Sequence, residues 1–212
     1  LMEEISKKIV VTIGRQFGSG GRVIGKKIAE QLGIAFYDKE LIERAANESG
    51  IDKSFFQDMD EKKISQGYYS LASNFSLGMA FFPNESMLSG DSMFLVQSDV
   101  IRKIALQESC VLVGRCADYI LRNQANKIDI FIYANKEERI KQVMKYNEVS
   151  EAEAESLIKK VDKERSSYYN YYTDKKWGVA NSYHLCVNSS LYGVDKTAEL
   201  ILPFILGLNK DN

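Results

Sequence analysis

Short apolar runs alternate with longer amphipathic stretches along this chain. Five mainly apolar runs have the length of buried strands: residues 9–13, 34–37, 111–113, 128–133 and 184–187. Stretches with helical periodicity lie between them, at residues 19–32, 39–48, 91–107, 136–146 and 150–166. Strands that alternate with helices form a parallel sheet covered on both faces. The pattern therefore predicts a three-layer α/β fold with a five-stranded parallel sheet.

One segment, residues 51–90, interrupts this alternation. It is mixed in pattern and rich in aromatic residues and methionine. Its apolar residues fit either the core of additional helices or a hydrophobic ligand pocket. We expect a single domain over residues 1–212, with residues 51–90 as an inserted lobe.

Composition narrows the choice of partners and compartment. The 212 residues carry a net charge of −1 with no long basic run, which argues against nucleic acid as a main partner. Because no apolar run reaches spanning length and no secretory signal is evident, we expect no membrane association. The three cysteines form no C-x-x-C pair, which favours a reducing compartment and predicts a cytoplasmic protein. The oligomeric state is left open.

A glycine-dense turn follows the first predicted strand and precedes a helix. Backbone amides at such a helix N-terminus bind anions, and glycine lets the backbone approach them closely. An ordinary strand-to-helix turn is the alternative. We expect the backbone of residues 17–22 to surround a phosphate, in a loop formed by Gly14, Arg15, Gln16, Phe17, Gly18, Ser19, Gly20, Gly21 and Arg22.

The strict phosphate-loop motif G-x-x-x-x-G-K-[ST] is nevertheless absent. When its second glycine is paired with Gly20, Gly21 stands where the lysine belongs. Arg22 lies one position further, which on a helix is a rotation of about 100°, so it replaces the lysine only if the loop is reshaped. Arg15 is the other loop cation within reach. Ser19 is the available hydroxyl for Mg²⁺, and no direct metal motif is present.

Residues at the carboxyl ends of parallel strands border one crevice. Arg115 follows the third strand and either binds an acceptor anion or pairs with Asp118. Asp38 follows the second strand, where it could hold Mg²⁺ through water, accept a proton, or cap the next helix. His184 lies in an apolar strand pattern and is expected to be structural.

The chain also carries a cluster of tyrosines at residues 168–172. They either stack on a base or pack the helices together, and we favour packing because such closely spaced rings cannot all face one ligand.

Five segments carry a resemblance to a known family over nearly the full length. They are IAFYDKELI (34–42), VIRKIA (100–105), VLVGRC (111–116), FIYANKEERIKQ (131–142) and KKVDKERSSYYNYY (159–172). Together with the glycine loop, they resemble the P-loop nucleoside monophosphate kinases, most closely the cytidylate kinase-like branch.

This resemblance implies a kinase that uses ATP with Mg²⁺ and a small-molecule acceptor. It implies an acceptor lobe at residues 51–90 and a lid at residues 150–178. It places the acceptor at Asp38, Lys39, Arg102 and Arg115, and the donor base beside Asn188, Ser189 and Ser190. A lid arginine corresponds to Arg165, and the implied catalytic residues are Arg22, Asp38, Arg115 and Arg165.

Specific departures from the family pattern leave two functions open. Cys116 stands where the family has an aspartate that contacts ribose, Lys39 replaces a serine at the base, and Tyr172 lies near the place of a second lid arginine. CMP is therefore expected to be a poor acceptor. The chain is either an ATP-dependent phosphotransferase with a lysine-less loop, or a catalytically weak nucleotide-binding sensor or partner-binding module of the same fold.

Overall fold

The computed structural model describes residues 8–38 and 90–211. Three predictions fall outside the described residues: the helix at residues 39–48, the acceptor residue Lys39, and the lobe at 51–90 except for its last residue.

A five-stranded parallel sheet forms the centre of the described structure. Its strands are β1 (Val10–Arg15), β2 (Ala35–Tyr37), β3 (Cys110–Val113), β4 (Lys127–Tyr133) and β5 (Leu185–Asn188). The spatial order is β2-β3-β1-β4-β5, and every neighbouring pair is parallel. Because β1 is central, Val10, Val11 and Ile13 are fully buried. The predicted sheet is confirmed.

Helices cover both faces of this sheet, as expected. They are α1 (Gly21–Leu32), α2 (Gly90–Gln107), α3 (Ala117–Ile120), α4 (Lys136–Asn147), α5 (Glu151–Thr173) and α6 (Gly193–Asp211), with a 3₁₀ turn at Ala180–Ser182. The predicted capping box at the start of α5 is confirmed, with Ser150 and Glu153 bonded reciprocally. Two helix boundaries differ from the prediction by more than one residue: α1 begins two residues later, and α5 continues seven residues further.

Each face of the sheet has its own apolar core. Ile24 and Ile28 of α1 meet Ile201 and Ile205 of α6 on one face. On the other face, α2, α3 and the last turns of α5 pack together around Ile101. In the described parts of the chain, no helix is long and apolar enough to span a membrane. This layering leaves the carboxyl ends of β1, β3 and β4 as the edge where a ligand can bind.

Candidate functional site

The turn between β1 and α1 has a conformation that requires glycine. Gly18 and Gly20 have φ of +78° and +74°, in the left-handed region. A Cβ atom on Gly18 would lie 2.9 Å from the carbonyl oxygen of Arg139. The turn therefore delays the start of α1 to Gly21, which explains the later boundary of that helix.

The amides of this loop do not all point to a shared anion position. The Gln16 amide donates to the Ile132 carbonyl at 3.0 Å, and the Phe17 amide donates to Asp162 Oδ1 at 2.8 Å. By contrast, the amides of Gly18 and Gly20 donate to no residue within the described ranges. The expectation that the whole segment 17–22 surrounds an anion therefore needs correction at Phe17, whose amide already binds a carboxylate.

Asp162 connects the loop to α4 and α5. Besides accepting from the Phe17 amide, its carboxylate forms an ion pair with Arg139, and Arg139 Nε donates to the Phe17 carbonyl at 2.7 Å. The side chains of Arg139 and Asp162 are only 9% and 18% exposed. The Phe17 ring itself is buried with apolar residues of α4 and α5. Phe17 thus anchors the loop to these helices.

Arg22 and Arg15 both turn towards Asp38, at the end of β2. Arg22 Nε lies 2.6 Å from Asp38 Oδ2, and one nitrogen of Arg15 lies 3.9 Å from Asp38 Oδ1. The guanidinium group of Arg22 also lies over the Phe36 ring. The Arg22 side chain therefore ends beside Phe36 and Asp38, at the end of β2. Asp38 is a carboxylate partner for two loop cations, Arg22 and Arg15.

Three consecutive residues after β3 adopt left-handed backbone conformations. Gly114, Arg115 and Cys116 have φ of +79°, +58° and +55°. Each non-glycine residue in this region costs about 1–2 kcal/mol, and such strain clusters at functional sites. Burial raises the pKa of the Cys116 thiol, which therefore stays neutral. The turn presents Arg115 at the sheet edge.

The alternative pairing of Arg115 with Asp118 is not formed. Asp118 instead accepts a hydrogen bond from Tyr169 Oη at 2.6 Å. Burial raises the pKa of the Asp118 carboxyl, and this hydrogen bond opposes the shift. Asp118 therefore lies close to the arginines without neutralising Arg115.

A cavity of about 50 Å³ opens where these elements meet. Its lining includes three arginines and three other polar residues: Arg15, Arg115, Arg165, Asp118, Tyr168 and Tyr169. Arg165 Nη1 donates to the Arg15 carbonyl at 3.0 Å, its guanidinium group lies over the Phe17 ring, and its buried Nε has no hydrogen-bond partner among the described residues. Burial and then the adjacent Arg15 guanidinium lower the pKa of Arg165. An anion in this cavity would favour the charged form of Arg165 and so oppose this lowering of its pKa.

The tyrosines of α5 behave largely as packing residues, as favoured from the sequence. Tyr172 stacks on Phe94 of α2, with ring centroids 4.0 Å apart. Tyr168 packs against the same pair of rings, and Tyr169 is buried in the core between α2, α3 and α5. These contacts explain why α5 extends beyond its predicted end.

Other predicted site residues lie outside the cavity. Arg102 is on the exposed surface of α2, where it pairs with Asp99 at 2.9 Å. Ser189 Oγ donates to the Ser19 carbonyl at 2.7 Å, while Asn188 and Ser190 bond to Asn135. The turn 188–190 thus joins the end of β5 to the glycine loop.

His184 Nδ1 accepts a hydrogen bond from the Asp129 amide, a contact of the kind expected for a structural histidine.

Neither predicted magnesium ligand is arranged to bind a metal. Ser19 Oγ donates to the Gln16 carbonyl at 2.9 Å, and the Asp38 carboxylate is held by arginines. In the described residues, no three His, Cys, Asp or Glu side chains are grouped as ligands. Within residues 8–38 and 90–211, the side chains therefore do not form a resident metal site.

Sequence reasoning missed Asp162 and Arg139 as loop-binding residues and Asp118 as a cavity residue. Asp162 precedes Arg165 by three positions on a predicted helix, so the two share a face. That spacing was the available signal for Asp162. The sequence carried no such signal for Arg139 or Asp118, because their hydrogen-bond partners, Phe17 and Tyr169, are distant in the sequence.

Comparison with known proteins agrees with this fold. The sequence profile of the cytidylate kinase-like family matches residues 10–191. A crystal structure of an uncharacterized protein from Eubacterium ventriosum is 31% identical, with a TM-score of 0.70, and the match covers 93% of this chain and 98% of that one. Two shikimate kinases share the fold. The enzyme from Acinetobacter baumannii is 14% identical with a TM-score of 0.55, and the match covers 98% of both chains. The enzyme from Bacteroides thetaiotaomicron is 10% identical with a TM-score of 0.53, and the match covers 93% of this chain and 98% of that one. No curated protein sequence matched. The chain belongs to the cytidylate kinase-like family.

Proposed function

We propose that this protein is an ATP-dependent phosphotransferase that acts on a small acceptor. The observation that carries the proposal is the arrangement of Arg15, Arg115 and Arg165 around one cavity beside the glycine loop. Transfer of a phosphoryl group depends on positioning and on neutralising negative charge, which guanidinium groups supply.

The balance of charge around the cavity supports an anionic ligand. Five guanidinium groups gather at this edge of the described structure: Arg15, Arg22, Arg115, Arg139 and Arg165. Two carboxylates, Asp38 and Asp162, lie among them, and burial raises the pKa of a third carboxyl, that of Asp118. Among the described residues, positive charge is therefore in excess at this partly buried edge, and such an excess favours phosphate groups.

Each part of the site receives a role in this proposal. The amides of Gly18 and Gly20 bind donor phosphates at the start of α1, where the helix dipole favours negative charge. Arg115 and Arg165 bind the acceptor side and align it. Mg²⁺ bound to ATP would supply further charge neutralisation at the phosphates. Residues 150–178 act as the lid and residues 51–90 as the acceptor lobe.

A nucleotide-binding sensor of the same fold is the second candidate. Two observations favour it: the loop lacks the lysine, and the Phe17 amide is already bonded to Asp162. Both reduce the number of groups available to a donor phosphate. A sensor would bind ATP without transferring its terminal phosphate at a useful rate.

A phosphotransfer screen separates the two candidates. Purified protein is incubated with ATP and Mg²⁺ and with CMP, dCMP, UMP, AMP or unrelated phosphorylated metabolites at equal concentration, and ADP release is measured. For a phosphotransferase, one acceptor stimulates ADP release. Arg115→Ala then lowers kcat/KM by roughly tenfold or more. Arg122→Ala is the matched control, because Arg122 lies on the surface over Tyr119 and should leave turnover unchanged.

The other outcomes are equally informative. ATP binding without acceptor-stimulated turnover would support the sensor. Absence of both ATP binding and turnover would refute both candidates. CMP turnover at the roughly 1–100 per second of dedicated kinases would show that the departures at Lys39 and Cys116 did not change the acceptor.

A further inference from the structure

The glycine loop departs from the strict phosphate-loop motif at three positions: Arg22 stands where the motif has serine or threonine, and the other two departures are linked. When Gly20 is taken as the second glycine of G-x-x-x-x-G-K-[ST], the first glycine falls on Arg15 and the lysine falls on Gly21. The chain therefore has an arginine where the motif has glycine and a glycine where the motif has the cation. At positions 15 and 21, the glycine and the cationic residue of the motif have exchanged places.

The structure gives a steric reason for this exchange. A Cβ atom on Gly21 would lie 2.5 Å from Arg15 Cβ and 3.1 Å from Arg15 Cγ. Since Cβ atoms do not approach this closely, positions 15 and 21 cannot both carry a side chain in this backbone. A lysine at position 21 requires glycine at position 15, and an arginine at position 15 requires glycine at position 21.

The path of the Arg15 side chain leads to the site. It leaves the end of β1, passes Gly21 at the start of α1, and ends against Gly114, where a Cβ atom would lie 2.1 Å from Arg15 Nη1. The guanidinium group lines the cavity beside Arg115. Within the described residues, the carboxylate closest to it is Asp38, at 3.9 Å. This ion pair with Asp38 is longer than a hydrogen bond, whereas Arg22 is bonded to the same carboxylate at 2.6 Å, so the Arg15 guanidinium group can still donate to a ligand between the loop and Arg115.

We propose that Arg15 is the catalytic cation of this loop and binds the terminal phosphates of the triphosphate donor in place of the missing lysine. This inference rests on the proposed function and names the residue that carries it. Arg22 does not take this role, because its guanidinium group is bonded to Asp38 at 2.6 Å and lies over Phe36.

The test measures affinity for ATP, ADP and AMP by displacement of a fluorescent ATP analogue. Five proteins are compared with wild type: Arg15→Gly, Arg15→Gln, Gly21→Lys, the double variant Arg15→Gly/Gly21→Lys, and the surface control Arg122→Ala. The double variant restores the strict glycine and lysine positions of the motif. Circular dichroism and thermal melting show which variants are folded.

The exchange predicts a specific pattern. Loss of charge-assisted contacts in Arg15→Gly and Arg15→Gln should weaken ATP binding roughly 10- to 100-fold and AMP binding much less. The double variant should recover most of the ATP affinity, while Gly21→Lys alone should melt at a lower temperature because of the clash. A purely structural role for Arg15 would change the affinities for ATP and AMP equally.

Contrary results would overturn the inference. It falls if both Arg15 variants bind ATP within twofold of wild type, or if the double variant binds ATP as weakly as Arg15→Gly. Should Arg15→Gly fail to fold, Arg15→Gln alone decides, since it keeps the side-chain stem. If wild type binds ATP and transfers phosphate while the Arg15 variants keep their affinity, only this inference fails. If wild type neither binds ATP nor transfers phosphate, the proposed function fails with it.

Discussion

Removing the Asp162 carboxylate should destabilise the protein severely. Asp162 accepts from the Phe17 amide and pairs with Arg139, so it joins the glycine loop, α4 and α5 at one point. Asp162→Ala would leave the Phe17 amide without this acceptor and the buried Arg139 guanidinium without its carboxylate. Arg139 as a whole is only 7% exposed, so water cannot readily replace the lost partner.

The magnitude follows from this burial. Breaking a buried ion pair by removing one partner typically costs about 3–5 kcal/mol, because the remaining charge is uncompensated. The total stability of a domain is about 5–15 kcal/mol, so the loss would be a large fraction of it. Asp162→Asn should cost less, since its side-chain oxygen can still accept from the Phe17 amide.

Urea unfolding followed by circular dichroism measures the free energy of unfolding directly. Glu138→Ala is the matched control, because Glu138 pairs with Lys141 on the exposed surface of α4 and should cost less than about 1 kcal/mol. A double-mutant cycle with Arg139→Ala should give a coupling of roughly 0.5–3 kcal/mol. An Asp162→Ala protein within 1 kcal/mol of wild type would refute the reasoning.

Three further predictions concern the loop and the cavity. Gly18→Ala should lower the free energy of urea unfolding by about 2 kcal/mol or more, since φ is +78° and the new Cβ would lie 2.9 Å from a carbonyl oxygen; an unchanged unfolding midpoint would contradict this. The raised pKa of Asp118 means that the native state holds this proton more tightly than the unfolded state, so wild type should lose stability as pH rises above the ordinary value of 3.8. Asp118→Asn should remove that part of the slope above about pH 4, and identical slopes would disprove it. Arg102→Ala should raise the acceptor KM much less than Arg115→Ala, because Arg102 pairs with Asp99 on the surface. Equal effects in the phosphotransfer assay would instead support the acceptor-binding role that the family resemblance gives to Arg102.

Much of the fold could be predicted from local patterns. The five strands, the parallel sheet and the capping box of α5 follow from short-range periodicity, because a buried strand or one buried helix face dictates apolar residues at regular spacing. The end of α5 could not be predicted in this way. The helix continues to Thr173 because Tyr172 stacks on Phe94, a contact between residues far apart in the sequence.

The candidate site was predicted only in part. Strand-end logic placed Arg115 and the glycine loop at one edge of the sheet, and the structure brings Arg15, Arg115 and Arg165 to one cavity. It also places Arg102 on the surface and pairs Arg22 with Asp38. These outcomes depend on the direction of individual side chains, which residue spacing along one element does not specify.

By itself, the sequence determined the kind of molecule: a parallel α/β sheet, a glycine loop before the first helix and the resemblance to a kinase family. These features are local, since each is encoded within a few consecutive turns or strands. Only the tertiary structure decided which loop cation faces the cavity. The overlap of positions 15 and 21 arises where β1, α1 and β3 meet, and the bond between the Phe17 amide and Asp162 joins residues 145 positions apart. Steric exclusion and buried charge pairing act through space, so they emerge only when the chain is folded.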